Sequence, residues 1–81
     1  MSVVTVQLFA SYADLVGKPT IEVPFRPGDM VSDLLRNLRS LPAASMLPPN
    51  ALVAVNQNFA GAGTVLRSGD EVALIPPVAG G

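Results

Sequence analysis

The chain has 81 residues, of which 49% are apolar and 14% are charged, with a net charge of −1 and neither cysteine nor histidine. Without these two residue types it has no disulfide, no thiolate nucleophile and no imidazole, so a metalloenzyme or a triad hydrolase built from this chain alone is all but excluded. The charges form no basic patch for nucleic acid, and no apolar run is long enough to span a membrane. We expect one cytoplasmic domain that binds no metal.

Two strands are predicted in the first third of the chain. Residues 4–8 and residues 20–25 alternate apolar and polar side chains, which is typical of strands with one buried face. The Gly17-Lys18-Pro19 segment between them predicts a hairpin connection. Pro24 has no N–H for a strand ladder, so the second strand is expected at the rim of the sheet.

The apolar period then lengthens to about 3.6 residues, which predicts one amphipathic helix. Asp29 is expected to be its N-cap, because a short side-chain acceptor satisfies a free N–H of the first turn, and Pro42 is expected to end it. Residues 42–50 are predicted to be a loop. The apolar positions of the helix are Val31, Leu34, Leu35, Leu38 and Leu41. The aromatic and leucine side chains expected in the core are Phe9, Phe25 and Leu34.

Short strands are predicted at residues 51–55, at residues 59–60 and at residues 72–75, with a tight turn at Ser68-Gly69-Asp70. The last strand is wholly apolar, which favours a central position parallel to the first strand. This order predicts an α+β chain with the β-grasp (ubiquitin-like) fold, a mixed sheet of about four to five strands packed on one main helix. A single helix covers only one face of the sheet. Apolar side chains on the other face are therefore either exposed to solvent, as single apolar residues often are, or part of a binding site for a partner.

The final residues are the most informative segment of the sequence. After the last strand come a proline pair and, in the last two places, two glycines, which chance would give about 0.5% of the time at average usage. We expect a folded domain over residues 1–76 and an extended tail over residues 77–81. Prolines restrict φ at the base of such a tail, and glycines without Cβ let its end enter a narrow channel.

The chain resembles the small, sulfur-carrying subunit of molybdopterin synthase, one of the ubiquitin-like sulfur carriers. The resemblance covers the chain from end to end and depends on the order and spacing of its segments. One departure concerns the segment before Leu15, where that family often has an Arg-Glu pair and this chain has Ala13-Asp14. The segments are Leu8-Phe9-Ala10, Leu15-Val16-Gly17, Ala54-Val55-Asn56-Gln57, Gly69-Asp70-Glu71-Val72-Ala73 and Pro76-Pro77-Val78-Ala79-Gly80-Gly81.

The resemblance implies chemistry at the C-terminal carboxyl of Gly81. An ATP-dependent adenylating enzyme would form an acyl adenylate there, sulfur would displace AMP, and the resulting thiocarboxylate would enter the large, catalytic synthase subunit. The chain itself would bind no cofactor and have no stand-alone enzyme activity. The tail residues expected in the partner's channel are Pro76, Pro77, Val78, Ala79 and Gly80, and the residues expected at the partner interface are Ile75, Asp70 and Glu71.

Two alternatives remain open from the sequence. The sulfur carrier of the thiamine pathway shares the fold and the Gly-Gly end, although Pro76-Pro77 argues against it. A ubiquitin-like modifier or a plain interaction domain belongs to another class. A modifier would be joined through Gly81 to lysines of other proteins, whereas a plain domain would tolerate the loss of both terminal glycines.

Overall fold

A five-stranded mixed sheet with one long helix on its inner face makes up the folded domain. The computed structural model describes residues 2–48 and 51–76. The elements in chain order are β1 (Ser2–Leu8), α1 (Ser11–Val16), β2 (Thr20–Phe25), α2 (Val31–Ser40), a 3-10 turn (Pro42–Ala44), β3 (Leu52–Val55), β4 (Asn58–Ala60) and β5 (Val72–Ile75).

The strand order in the sheet is β2-β1-β5-β3-β4. β5 lies in the centre, parallel to β1 and antiparallel to β3, while β2 lies at one edge. The central parallel position of the last strand and the rim position of the strand that contains Pro24 are therefore confirmed. The topology is the β-grasp, ubiquitin-like fold expected from the order of elements.

The core lies between the sheet and α2. Alternation along β1 buries Val4, Val6 and Leu8 and leaves the residues between them exposed, as the pattern predicts. On α2, the helical spacing brings Leu34 and Leu38 onto the same buried face, each 1% exposed. Burial of such leucine side chains contributes about 1.5–3 kcal/mol apiece.

Phe9 does not belong to the core, which corrects one expectation. Phe25 and Leu34 are buried, but the Phe9 side chain is 47% exposed. Phe9 follows Leu8 directly, and neighbouring residues of an extended chain point to opposite faces. The alternation that buries Leu8 therefore turns Phe9 to the outer face of the sheet, which is the face away from α2.

The start of α2 also differs from the expectation. The N-cap is Met30, and its N–H donates to Asp33 Oδ2 at 2.9 Å. Asp29 lies outside the helix, where its Oδ2 accepts a hydrogen bond from the Arg26 N–H at 3.0 Å. This bond closes the turn at Pro27-Gly28, in which Gly28 has φ +99°, together with the backbone bond from the Asp29 N–H to the Arg26 carbonyl at 2.9 Å. The expected N-cap is wrong by one residue because the carboxylate caps the preceding turn.

Two short helical segments are missing from the sequence-based description. α1 spans six residues between β1 and β2 and ends at Gly17 with φ +91°, and a 3-10 turn opens the predicted loop after α2. α1 is too short for its period to be recognised, although Tyr12 and Val16, four residues apart, are respectively buried and packed against the core.

Tyr12 generates a stability test, because its buried hydroxyl has no hydrogen-bond partner among the residues that the structure describes. An unpaired buried hydroxyl is destabilising, so Tyr12→Phe is expected to raise the free energy of unfolding by up to about 1 kcal/mol. Denaturant unfolding measures this change. Tyr12→Ala, which also removes the ring, serves as the destabilised control. A loss of stability in Tyr12→Phe would show that the hydroxyl is paired.

Candidate functional site

The structure shows where the residue that precedes the predicted tail lies. β5 ends at Ile75 and is followed by the half-buried Pro76. Beyond the last paired residues of β1 and β5, the Phe9 N–H donates to the Leu74 carbonyl at 3.2 Å. The base of the tail is thus held between the two strands that flank it in the middle of the sheet.

The predicted site residues fall into two groups. Pro76 lies at the base of the tail, while Pro77, Val78, Ala79, Gly80 and Gly81 lie outside the described residues. Of the predicted interface residues, Ile75 is half-buried on the outer face, Glu71 is exposed just before β5, and Asp70 is half-buried in the turn before it.

An apolar groove on the outer face lies beside the base of the tail. Strand register places Ala73 of β5 opposite Ala54 of β3, and Ala54 opposite Phe59 of β4. Together with Phe9 and Ile75, these residues line a depression of about 190 Å³. We call it the outer groove. Glu71 also lines it, so two of the three predicted interface residues, Ile75 and Glu71, meet at one surface.

The small side chains of the two central strands explain the groove. The short side chains of Ala54 and Ala73 form the floor of the groove. The larger side chains of Phe9 and Phe59 form its sides, and Phe59 is 75% exposed. Leu52, opposite Ile75 in the register, extends the apolar surface and is 39% exposed. Large exposed apolar side chains grouped on one face are typical of protein interaction sites.

Three residues of this surface were missed by sequence reasoning. The sequence predicts Phe9 in the core and does not indicate Leu52 or Phe59 as surface contacts. For Phe9 the alternation along β1 is a signal, because Leu8 is buried and the next residue faces outward. For Leu52 and Phe59 the signal is weaker, because β3 and β4 have only four and three residues and their faces are defined by pairing with β5.

A polar cluster holds the loops beside the outer groove. Asn56, with φ 52°, joins the β3–β4 turn to the turn before β5: its side-chain amide donates to Asp70 Oδ1 at 2.9 Å, and its Oδ1 accepts from the Glu71 N–H at 3.0 Å. The expected tight turn at Ser68-Gly69-Asp70 is confirmed by Gly69 at φ +87° and a bond from the Asp70 N–H to the Arg67 carbonyl. These bonds hold Glu71 at the start of β5, where it lines the outer groove.

The carboxylate of Asp70 stabilises the turn before β5 by accepting a backbone hydrogen bond. Its Oδ2 accepts a hydrogen bond from the Arg67 N–H at 2.8 Å. That bond, followed by the bond from Asn56, favours the ionised form and holds the pKa of Asp70 below its ordinary value. The structure therefore gives Asp70 a positioning part, while its predicted contact with a partner remains a prediction.

Few ionisable side chains lie at the outer groove among the described residues. No three of their acidic side chains come together as a possible metal site, and the one ionisable residue that lines the outer groove is Glu71. The groove is therefore suited to apolar contact, and the reactive group predicted from sequence remains the Gly81 carboxyl. No helix in residues 2–48 and 51–76 has the length and apolarity needed to cross a membrane.

The fold, with an apolar sheet face beside the base of a C-terminal tail, first defines the class: this is a ubiquitin-like β-grasp domain. The model of the ThiS family matches residues 6–81. The chain therefore belongs to the ThiS family and is a ThiS-like sulfur carrier.

The chain is similar to several known proteins, of which three are described here. The molybdopterin synthase sulfur carrier subunit of Dictyostelium discoideum is 35% identical over 78 residues, covering 91% of this chain and 91% of the relative. SAMP1, a small archaeal modifier protein of Haloferax volcanii, has 31% identity and a TM-score of 0.81, covering 99% of this chain and 100% of the other. A chain in the complex of subunits 1 and 2 of molybdopterin-converting factor from Helicobacter pylori shares the fold, with 21% identity and a TM-score of 0.68, covering 99% of this chain and 100% of the other.

The polar cluster generates a pH-dependent prediction for Asp70→Asn. Because the pKa of Asp70 is lowered by folding, its carboxylate contributes stability above the pKa of the unfolded chain, and this contribution disappears as the pH falls through the folded pKa. The melting temperature of the variant is therefore expected to lie below that of the wild type at about pH 7 and to approach it below about pH 4.

The matched control for this comparison is Asp14→Asn, at an exposed carboxylate that accepts no side-chain or loop hydrogen bond within the described residues. Thermal unfolding of the three proteins across the acidic range measures the difference. A gap between wild type and Asp70→Asn that stays constant with pH would contradict the assigned role of the ionised carboxylate.

Proposed function

We propose that the chain is the sulfur carrier of molybdopterin biosynthesis and that the C-terminal carboxyl of Gly81 is the group that carries sulfur. The observation that carries the proposal is the family match, which continues through residue 81 and so includes the Gly-Gly pair. The 35% identity to a molybdopterin synthase sulfur carrier subunit favours the molybdopterin pathway over the thiamine pathway.

The chemistry requires activation, because a carboxylate is a poor acyl donor. A Gly81 carboxylate oxygen attacks the α-phosphorus of ATP in the adenylating enzyme, and pyrophosphate leaves. A sulfur nucleophile then attacks the carbonyl carbon and AMP leaves, which produces the thiocarboxylate. Covalent intermediates of this kind divide one difficult transfer into easier steps. No cysteine is required in the carrier, in keeping with a sequence that has none.

The domain supplies the docking surface for this chemistry. The outer groove is proposed to contact the large synthase subunit and the adenylating enzyme, with Ile75 as an apolar anchor and Glu71 and Asp70 facing cationic side chains of a partner. Support comes from the outer groove, which Ile75 lines next to the base of the tail and Glu71 lines at the opposite end of β5, and from a protein of the same fold whose structure is a complex of subunits 1 and 2 of molybdopterin-converting factor.

The length of the tail fits a transfer between separate sites. Residues 77–81 can span at most about 16 Å from Pro76, at roughly 3.3 Å per residue. This reach allows the domain to dock outside a partner's catalytic site while Gly81 enters it. The same carrier can then visit an activating site and a transfer site, since neither requires the domain to unfold.

Intact mass spectrometry tests the proposal. The chain is incubated with its adenylating enzyme, ATP and a sulfur donor, and replacement of one oxygen by sulfur is expected to add about 16 Da. A reaction without ATP is the control. The modified chain, mixed with the large synthase subunit and the pterin precursor, is expected to lose the added mass as molybdopterin forms. No gain of mass, under conditions in which a known carrier is modified, would reject the carrier function; a gain without transfer would reject the pathway.

A second candidate is a ubiquitin-like modifier, favoured by the 31% identity to SAMP1. In this case the activated Gly81 carbonyl is attacked by a lysine amine of another protein, and an amide replaces the thiocarboxylate. Both functions share the activation step and differ in the nucleophile. Tryptic peptides with a lysine joined to the chain's C-terminal residues would favour the modifier.

The outer groove gives a binding prediction for Phe59→Ala. Residue Phe59 is 75% exposed, so its truncation is expected to change the free energy of unfolding by less than about 0.5 kcal/mol. If it contacts the large subunit, affinity is expected to fall about tenfold or more, as for a buried aromatic anchor. Titration calorimetry against the large subunit measures the loss.

Met46→Ala is the matched control, because Met46 is also 75% exposed but lies after the 3-10 turn, outside the residues that line the groove. It is expected to bind like the wild type. Equal affinities for the two variants would mean that the outer groove is not the binding surface.

A further inference from the structure

Lys18 is the single lysine among the 81 residues. It is exposed in the connection between α1 and β2, directly after Gly17, and no carboxylate in the described part of the chain pairs with it. Any amide in which this chain supplies the lysine side chain must therefore use this amine. The only alternative amine of the chain is the one at its N-terminus.

The surface around Lys18 is open. Lys18 and its neighbours Ala13, Asp14, Gly17 and Pro19 line a broad depression of about 320 Å³. At Gly17, a Cβ placed on the backbone would meet nothing within 4 Å. A peptide end made of two glycines has no side chains to accommodate, so it can approach an amine at such a surface closely.

Lys18 also lies at the end of the sheet from which the tail leaves. The Leu8 N–H donates to the Pro19 carbonyl at 2.8 Å, and Leu8 pairs with Leu74 on its other side. With strands about 4.8 Å apart, Pro19 lies about 10 Å from Leu74 across the sheet. Lys18 is therefore a near neighbour of the base of the tail.

We propose that Lys18 is the acceptor for the activated C-terminus of a second copy of this chain, so that two copies become joined by an amide between Gly81 and Lys18. The proposal rests on the proposed function, because Gly81 must first be adenylated. The neutral Nζ of Lys18 attacks the carbonyl carbon of the adenylate, the C–N bond forms, the bond to AMP breaks, and the proton released from nitrogen goes to solvent. No oxidant or reductant is needed.

A second copy is favoured over the chain's own tail. Closure within one chain requires residues 76–81 to turn back across the sheet end, and Pro76 and Pro77 fix φ at two of these six positions. A second copy meets no such restriction, because Lys18 is exposed on the surface. Sulfur and amine then compete for the same adenylate, which makes conjugation favourable when the sulfur donor is scarce.

Conjugation has a consequence for the acceptor copy. The joined copy is attached next to Pro19, which lies about 10 Å across the sheet from Leu74, and the body of one copy measures 36 × 26 × 18 Å. It therefore obstructs the approach of a partner to that tail. The acceptor copy in a purified conjugate is expected to gain sulfur at least several-fold more slowly than the free chain.

The test separates donor from acceptor. Lys18→Arg keeps the positive charge but lacks the amine, so it can only donate; a chain lacking Gly81 can only accept. The two are mixed with the adenylating enzyme and ATP, without a sulfur donor, and examined by intact mass. A heterodimer of two 8.4 kDa chains, less one water, is expected in the mixture and in neither component alone.

Three results would overturn the proposal. Dimers formed by Lys18→Arg alone would assign the acceptor to another amine, and a wild-type monomer lighter by one water would assign it to the same chain. Absence of heterodimer, while Lys18→Arg still gains the mass of sulfur when a donor is added, would reject Lys18 as acceptor and leave the carrier function intact. Absence of both products would instead reject the proposed function.

Discussion

The parallel pairing of β1 with β5 is the constraint on which the rest of the structure depends. It brings the last strand into the middle of the sheet, between β1 and β3. The backbone bond from Phe9 to Leu74 continues this contact to the end of β5. A tail that follows a central strand is anchored on both sides, so the position of Pro76 is as well defined as the sheet itself.

The same pairing creates the outer groove. Because β5 is central, its inner residues Val72 and Leu74 join the core, while Ala73 and Ile75 face outward at the base of the tail. One strand thus contributes to stability with one face and to the candidate docking surface with the other. The Asn56 cluster adds the neighbouring loops to this arrangement, which brings Glu71 to the groove.

Much of the fold could be predicted because its periods are long and regular. Alternation in β1 and β2 and the helical spacing of α2 are properties of single segments, and the apolar run of β5 indicates a central strand. The predictions fail where the structure of a residue depends on neighbouring residues or where an element is very short. Asp29 caps a turn since Gly28 creates one beside it, and six residues are too few for the period of α1 to appear.

The site was predictable only in part for the same reason. The Gly-Gly end can be read directly, closeness to the tail indicates Ile75, and the negative charge of Glu71 suits a partner's cationic side chains. Leu52 and Phe59 lie at least 16 positions before Ile75 and reach the groove only through strand pairing. An interface assembled from β1, β3, β4 and β5 depends on register, and periodicity alone does not define the register between strands.

The central claim is that a stable domain presents a reactive main-chain carboxyl that contributes nothing to its stability. Deletion of Gly81 tests it most directly, with thermal unfolding and ATP-dependent gain of sulfur measured on the same preparation. The account predicts an unchanged melting temperature and complete loss of thiocarboxylate formation, because the tail starts beyond the core. A marked fall in melting temperature, or sulfur carried by the shortened chain, would contradict it.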